Sequence, residues 1–344
     1  MGNFKCVILV SLLLQNASYV LMLRFSQGVL KESYSVEECL LLGEVIKMAV
    51  ALVMIFIDPT PSDVVGQGIW KVAWLMRKSQ KMVILAIIYL IMNLLSYIAL
   101  RRIDAAAFTV LGQLKILTTA WFSMLVLRRH ISWGKWRALV IIVCGVILVT
   151  SPQLSSCQSS AGKDVAAQST DTVEQEASED RSIQSHIMAL LFGYGAVLCQ
   201  VTLSGMASIY FEKTIKTSEG EQLTLWQRNF QLASSSIVLF LGIILGKWQW
   251  YGHTLLHGWS IWALLVSILG ALGGILVAFS VKYTDSITKS IAVSGSIVLS
   301  SCFGYFFLNG PMTLPMVVGC VTTIVATQSY TFDIDPDAQV QQKA

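Results

Sequence analysis

Charge is what this chain has least of. Only 13% of its 344 residues are Asp, Glu, Lys or Arg, against about a quarter in a soluble domain. That scarcity, beside 55% hydrophobic residues, excludes an ordinary soluble fold. The net charge of +4 is small, and the Lys and Arg clusters lie at the ends of apolar stretches. This excludes a nucleic-acid-binding face and fits membrane topology determinants. Close cysteine pairs are missing too. None of the seven cysteines stands in a C-x-x-C spacing, and Cys6, Cys39, Cys144, Cys199, Cys302 and Cys320 lie in or at the ends of apolar stretches. No disulfide framework is expected, and neither a metal nor a cofactor. A His-Asp pair, H-E-x-x-H and G-x-S-x-G are absent, and D-x-D occurs only in the tail beyond the last apolar stretch, at Asp333 to Asp337, which speaks against a membrane glycosyl- or acyltransferase; the chain is not expected to be an enzyme. The apolar stretches also lack the Asp/Glu/His chain that proton relays use. The one N-x-S/T match, Asn16-Ala17-Ser18, lies inside the first apolar stretch, where it could not be an exposed glycan acceptor.

What the chain has is apolar length. Ten stretches, near 4–23, 38–57, 81–100, 104–127, 136–151, 186–210, 226–246, 259–281, 286–308 and 312–332, approach the roughly 20 residues a helix needs to cross a bilayer. The first is interrupted by Gln15 and Asn16 and has no small-residue cleavage site, so it reads as a retained helix and not a signal peptide. Residues 152–185, rich in Ser, Gln, Asp and Glu, read as a flexible linker. They divide the chain into 1–151 and 186–332, with a tail at 333–344. The two parts look related: at one constant offset, Arg101 to Asp104 faces Lys282 to Asp285, Ile116 faces Ile297 and Leu127 faces Leu308. Five spans per half make the second half enter from the opposite side, which is the inverted-repeat plan of secondary transporters. The expected fold is an all-α membrane protein of ten transmembrane helices in two inverted five-helix repeats. Lys71, Arg77, Lys78, Lys81, Arg128, Arg129, Lys135, Arg137, Lys213, Lys216 and Lys282 lie on one side of that plan, against Lys31, Arg101, Arg102, Lys163, Arg181 and Lys247 on the other. The bias puts both termini in the cytosol and 152–185 in the lumen.

The most informative stretch runs from Ile103 to Leu127. It is long enough to span a bilayer, yet Gln113 and Lys115 sit near its middle. A charge at that depth costs at least about 2.5–3.5 kcal/mol, so Lys115 must meet protein, water or an anion. Snorkelling is poorly placed to rescue it half-way along the helix. Glu44 and Lys47, three apart on one helix face, form either a structural ion pair or a gating and ligand element. Asn93 bonds a neighbouring helix or a ligand. Lys289, one turn into its span and four residues after Asp285, pairs with that aspartate or meets an anion near the positive helix end. Tyr210, Asn229 and Ser294 add polar groups to their spans, whose commonest role is helix–helix hydrogen bonding. Gly270, Gly273 and Gly274 allow close helix packing, or backbone approach to a ligand. Two lysines, one from each half, with few acids in the spans, favour an anion site.

At these residues the chain resembles nucleotide-sugar transporters, in the branch of the drug/metabolite transporter superfamily that carries CMP-sialic acid, UDP-galactose and UDP-N-acetylglucosamine. The matching stretches are E-V-I-K (Glu44 to Lys47), I-D-A-A-A-F (Ile103 to Phe108), Q-L-K-I (Gln113 to Ile116), Y-F-E-K (Tyr210 to Lys213), L-W-Q-R-N-F-Q (Leu225 to Gln231), Gly273-Gly274 and V-K-Y-T-D-S-I-T-K (Val281 to Lys289). The resemblance implies a multi-pass protein of the Golgi or endoplasmic reticulum membrane. It would exchange a cytosolic nucleotide sugar for a lumenal nucleoside monophosphate by alternating access. It implies further that Lys115 and Lys289 serve the phosphates and that Asn93 lies at the nucleotide, with Phe108 and Tyr210 beside it holding the base; Gln113, Asn229, Ser294, Gly273 and Gly274 complete the candidate substrate-binding set. A homodimer is left open. The chain departs from the family pattern with Met92-Asn93-Leu94 for Gln-Asn-Asn, Phe108-Thr109 for Tyr-Gln, and Gly112 where an aromatic is frequent. The lysines are kept while base- and sugar-facing positions change. A UDP-sugar is the expected cargo because such carriers are the more widespread; a CMP-sugar transporter and a small-metabolite exporter are the alternatives.

Overall fold

Apolar runs this long can satisfy their backbone groups in lipid only as helices or closed barrels, and the chain chooses helices. A computed structural model describes residues 2–32, 34–57, 69–100, 102–103, 105–165, 176–216, 223–251, 258–308 and 313–332, and among them all regular structure is helical. In chain order the helices are α1 (Gly2–Arg24), α2 (Val36–Ile57), α3 (Ile69–Arg77), α4 (Gln80–Leu100), α5 (Ala105–Gly112), α6 (Lys115–Leu127), α7 (Trp133–Val165), α8 (Glu176–Lys216), α9 (Leu225–Tyr251), α10 (Ile261–Tyr283), α11 (Ser286–Leu308) and α12 (Leu314–Phe332). A π-helical turn, Phe25–Val29, extends α1. Several boundaries carry their own chemistry. Thr224 and Gln227 form a capping box at α9: the Thr224 amide donates to Gln227 Oε1 at 2.9 Å and the Gln227 amide to Thr224 Oγ1 at 3.3 Å. Ser260 caps α10 by accepting from the amides of Trp262 and Ala263.

Nine helices among the described residues are long and apolar enough to cross a membrane. They correspond to the first nine expected stretches. The tenth is helical as α12 but, diluted by Thr322, Thr323, Thr327, Gln328 and Thr331, is not one of the nine. The chain is therefore an all-α multi-pass membrane protein. One element was not expected: α3 is a short helix of its own, with Leu75 fully buried beside Val72 and Trp74 while Arg77 is exposed. The expected linker also differs at its edges. Helical backbone continues in α7 to Val165 and resumes in α8 at Glu176; the first turns of α8 carry Glu, Ala, Arg and Gln, which extend helices readily without a core. Residues 166–175 lie outside the described set, as does the tail 333–344. The six described cysteines are all free thiols, and Asn16 donates its amide to Ser296 Oγ from within α1.

The helices pack into two compact units, Met1–Leu90 with Ala207–Leu308, and Ile91–Met206 with Asn309–Ala344. Each draws on both sequence halves. In the first unit α1 lies on α10 and α11, and α2 on α9 and α10. In the second, α7 and α12 pack most extensively, around Gly145 and Gly319. A Cβ on Gly319 would stand 2.6 Å from the Gly145 carbonyl oxygen and 2.7 Å from the Val149 amide nitrogen, so only glycine lets the two backbones meet.

Candidate functional site

In the second unit the span that holds Lys115 is not one uniform helix. The turn between α5 and α6 is tightened by i→i−3 bonds: Gln113 N–H to Val110 O at 3.1 Å, Leu114 N–H to Leu111 O at 3.0 Å, and Ile116 N–H to Gln113 O at 3.2 Å. Such a mid-helix 3₁₀ turn is a frequent hinge or site marker. Gly112 ends α5 there. Gln113 is 6% exposed; its amide donates to Thr109 O at 3.3 Å while its carbonyl oxygen, buried, has no partner among the described residues. Lys115 opens α6. Its carbonyl accepts from the hydroxyls of Thr118 at 3.1 Å and Thr119 at 2.6 Å, which fixes the backbone below the side chain. Thr118 Oγ1 also donates across to Val201 O on α8, at 3.1 Å. The Lys115 ammonium itself makes no hydrogen bond or ion pair among the described residues. Phe108 packs beside the apolar cluster of Ala99, Ile103, Ala196, Val197 and Val201. Asn93 stands exposed on α4, one turn before exposed Tyr97.

The first unit holds the Glu44–Lys47 pair. Lys47 Nζ is 2.7 Å from Glu44 Oε1, so the charge of Lys47 is answered on its own helix. The second carboxylate oxygen, Glu44 Oε2, is buried without a partner among the described residues. The pair faces a cavity of about 60 Å³ lined in part by Tyr19, Cys39, Gly43, Ser267 and Gly270. That space suits water-sized groups and is far below the roughly 300 Å³ of a small-molecule site. Gly273 and Gly274 provide room for side chains. A Cβ on Gly273 would stand 2.6 Å from the Gln15 amide, and one on Gly274 would stand 3.1 Å from Lys47 Cδ. Gln15 then donates to Leu269 O at 2.7 Å. The glycines thus admit two polar side chains from α1 and α2, a third use beside the helix packing and ligand approach expected of them.

At the end of α8, Lys289 Nζ lies 3.4 Å from Ser208 Oγ, a long contact. Asp285 spends one oxygen as the helix cap of α11, accepting from the Thr288 amide at 2.7 Å. Glu212, fully buried, bridges Lys216 Nζ at 2.8 Å and the Ser286 amide at 2.9 Å. Tyr210 is half-buried and its carbonyl accepts from Thr214. On α9, Asn229 is 2% exposed and its amide nitrogen has no partner among the described residues, whereas neighbouring Gln231 donates to Leu75 O at 2.9 Å. Ser294 donates to Ser290 O at 3.1 Å within its own helix, as Ser290 and Ser300 also do. These hydroxyls satisfy themselves locally, whereas Ser296, on the same helix, receives a cross-helix bond from Asn16. Sequence reasoning gave no role to Gln15, and named Glu212 only within the Y-F-E-K family stretch and the cytosolic gating segment Glu212 to Lys216. The signal was present, a polar residue inside an apolar run, but nothing in the run says which neighbour it meets. No group of three or more His, Cys, Asp or Glu able to hold a metal occurs among the described residues.

Known proteins resemble this chain over nearly its whole length. The UDP-N-acetylglucosamine/UDP-N-acetylgalactosamine transporter nstp-4 of Caenorhabditis elegans is 34% identical, over 96% of this chain and 94% of its own length. The UDP-N-acetylglucosamine transporter of Homo sapiens is 31% identical over 97% of both chains. The UDP-galactose transporter of Schizosaccharomyces pombe is 32% identical over 95% of this chain and 87% of its own. One crystal structure superposes with a TM-score of 0.64 at 12% identity, covering 96% of this chain and 98% of its own; that likeness concerns the fold alone. The profile of the nucleotide-sugar transporter family matches residues 1–331. With a match over nearly the whole chain and relatives above 30% identity, the chain belongs to the nucleotide-sugar transporter family, a family of transporters and not of enzymes.

Proposed function

We propose that this protein carries a UDP-sugar, UDP-N-acetylglucosamine or UDP-galactose, from the cytosol into the Golgi lumen in exchange for a nucleoside monophosphate. The observation that supports the reading is the state of the membrane lysines. Glu44 and Lys47 answer each other at 2.7 Å. The Lys115 ammonium, near the middle of its span, has no counter-charge among the described residues. A cation held in that environment is tolerable when an anion joins it, and phosphate oxygens are such anions. The choice of UDP rests on the relatives, which are named as carriers of UDP-N-acetylglucosamine, UDP-N-acetylgalactosamine and UDP-galactose. Lys289, at the first turn of α11, is proposed as a second phosphate ligand, Asn93 and Tyr210 as contacts of the nucleotide, and Asn229 through its unanswered amide as a further donor.

The same electrostatics accounts for exchange. An empty carrier that reorients must carry its uncompensated ammonium through a low-dielectric environment, while a carrier loaded with either phosphate does so with the charge answered. Reorientation without cargo is then slow, and influx of the nucleotide sugar is tied to efflux of the monophosphate. The test is uptake of labelled UDP-N-acetylglucosamine, UDP-galactose and CMP-sialic acid into proteoliposomes preloaded with uridine monophosphate or left empty. Uptake of a UDP-sugar, stimulated several-fold by internal uridine monophosphate, is expected. Preference for CMP-sialic acid would overturn the substrate, and uptake indifferent to internal nucleotide would overturn the exchange.

A further inference from the structure

Glu212 has no place among the groups assigned to the substrate, yet it is one of the most completely buried charges in the chain, with no exposed surface. It is not idle. Oε1 accepts from Lys216 Nζ at 2.8 Å, one turn further along α8. Oε2 accepts from the backbone amide of Ser286 at 2.9 Å. Ser286 is the first residue of α11, where amide groups have no partner inside the helix and the helix dipole presents its positive end. A carboxylate there makes a charge-assisted bond to the helix start. Two further bonds run between the same helices. Ser286 Oγ donates to Ser208 O at 3.0 Å, and Lys289 Nζ lies 3.4 Å from Ser208 Oγ. Ser208 and Glu212 are four apart on α8, Ser286 and Lys289 three apart on α11, so each pair lies on one helix face. The contacts form two rungs: Glu212 to Ser286, and one turn away Ser208 to Lys289. Lys216 also donates to Thr284 O in the turn before α11. Asp285 caps the same turn through the Thr288 amide.

We infer that Glu212 is a positioning residue for Lys289: it anchors the first turn of α11 to α8 and thereby sets where the Lys289 ammonium stands. This rests on the proposed phosphate role of Lys289. A lysine on a four-carbon stem is a point charge that many geometries admit, and rigid support of its backbone is what narrows them. With the carboxylate gone, the Ser286 amide loses its acceptor and Lys216 its counter-charge, and α11 is free to shift at the turn that bears Lys289. Both cargoes present phosphate, so both should suffer alike. Choice between bases, which the phosphate lysine does not read, should not change.

The experiment measures exchange and nucleotide affinity for Glu212→Ala, Glu212→Gln, Ser208→Ala, Lys289→Ala and the double variant Glu212→Ala/Lys289→Ala, each with its melting temperature. Glu212→Ala is expected to raise KM for UDP-sugar and for uridine monophosphate by a similar factor of about tenfold, the scale of one charge-assisted bond. Glu212→Gln keeps an acceptor for the Ser286 amide and should recover much of that loss. Ser208→Ala removes the second rung without burying a lone charge, so it reports the same KM effect even if Glu212→Ala folds poorly. In the Lys289→Ala background Glu212→Ala should weaken affinity no further, because Glu212 acts through that lysine. Losses that add in the double variant would overturn the inference and make Glu212 a general stabiliser. The inference fails equally if Lys289→Ala weakens affinity while Glu212→Ala and Ser208→Ala leave KM unchanged. If Lys289→Ala itself leaves affinity intact, the phosphate role of Lys289 fails first and takes the positioning role with it.

Discussion

Of the lysines inside the membrane, Lys47 and Lys115 are told apart by their surroundings. Lys47 is 6% exposed and ion-paired to Glu44, so removing it strands a largely buried carboxylate. Lys47→Gln should destabilise the protein by up to about 3–5 kcal/mol, and adding Glu44→Gln should restore much of it; thermal unfolding in detergent checks both. Lys115 strands no partner among the described residues, so Lys115→Gln should leave the melting temperature within a few degrees of wild type. It should cost about tenfold or more in nucleotide affinity and abolish most exchange. A melting temperature that collapses with affinity retained would make Lys115 structural. That Lys115 mattered was legible in the sequence, from the cost of a charge at that depth. Which lysine Glu44 answers was not, since an i,i+3 neighbour and a distant partner are equally open to a carboxylate until the packing is known.

At the scale of elements, the 3₁₀ turn at Gln113 and Leu114 places Lys115 at the start of a helix segment, and α8 holds that segment in place. The Thr118 hydroxyl reaches Val201 O at 3.1 Å, and Gly205 lets α8 come close: a Cβ there would stand 2.6 Å from Thr118 Oγ1 and 2.9 Å from the Thr118 carbonyl carbon. Gly205→Ala should therefore push α6 from its place, costing about 1–3 kcal/mol as overpacking does and weakening nucleotide binding with it. Nucleotide-induced thermal shift reads both effects at once. The Gly145–Gly319 contact offers the comparison. Gly319→Ala should lower the melting temperature by as much, with affinity per folded molecule unchanged, because α7 and α12 carry none of the proposed ligands. The break itself was not predicted, as the apolar run from Ile103 to Leu127 has the length and composition of one uninterrupted helix, and Gly112 alone does not specify a tightened turn.

At the scale of the molecule, topology follows from where the basic residues fall. Both termini are expected in the cytosol and 152–185 in the lumen. Protease added outside sealed Golgi vesicles should clip the tail after Phe332 and spare 152–185, while detergent should expose that segment to cleavage. Cleavage between 152 and 185 in intact vesicles would reverse the orientation.

The sequence by itself determined that this is a helical membrane protein, roughly where its apolar spans fall, and which charges lie inside them. Each of these follows from one run of residues and its transfer energy, and needs no knowledge of neighbours. The family motifs, carried on short stretches spread along the chain, were legible for the same reason. Only the tertiary structure decided that Lys47 is answered by Glu44, that Gly273 and Gly274 make room for Gln15 and Lys47, and that Glu212 holds the start of α11. The reason is physical. A buried polar group must find a partner, and its partner is set by which helix faces pack together, with residues as far apart in sequence as Gln15 and Leu269 sharing one bond.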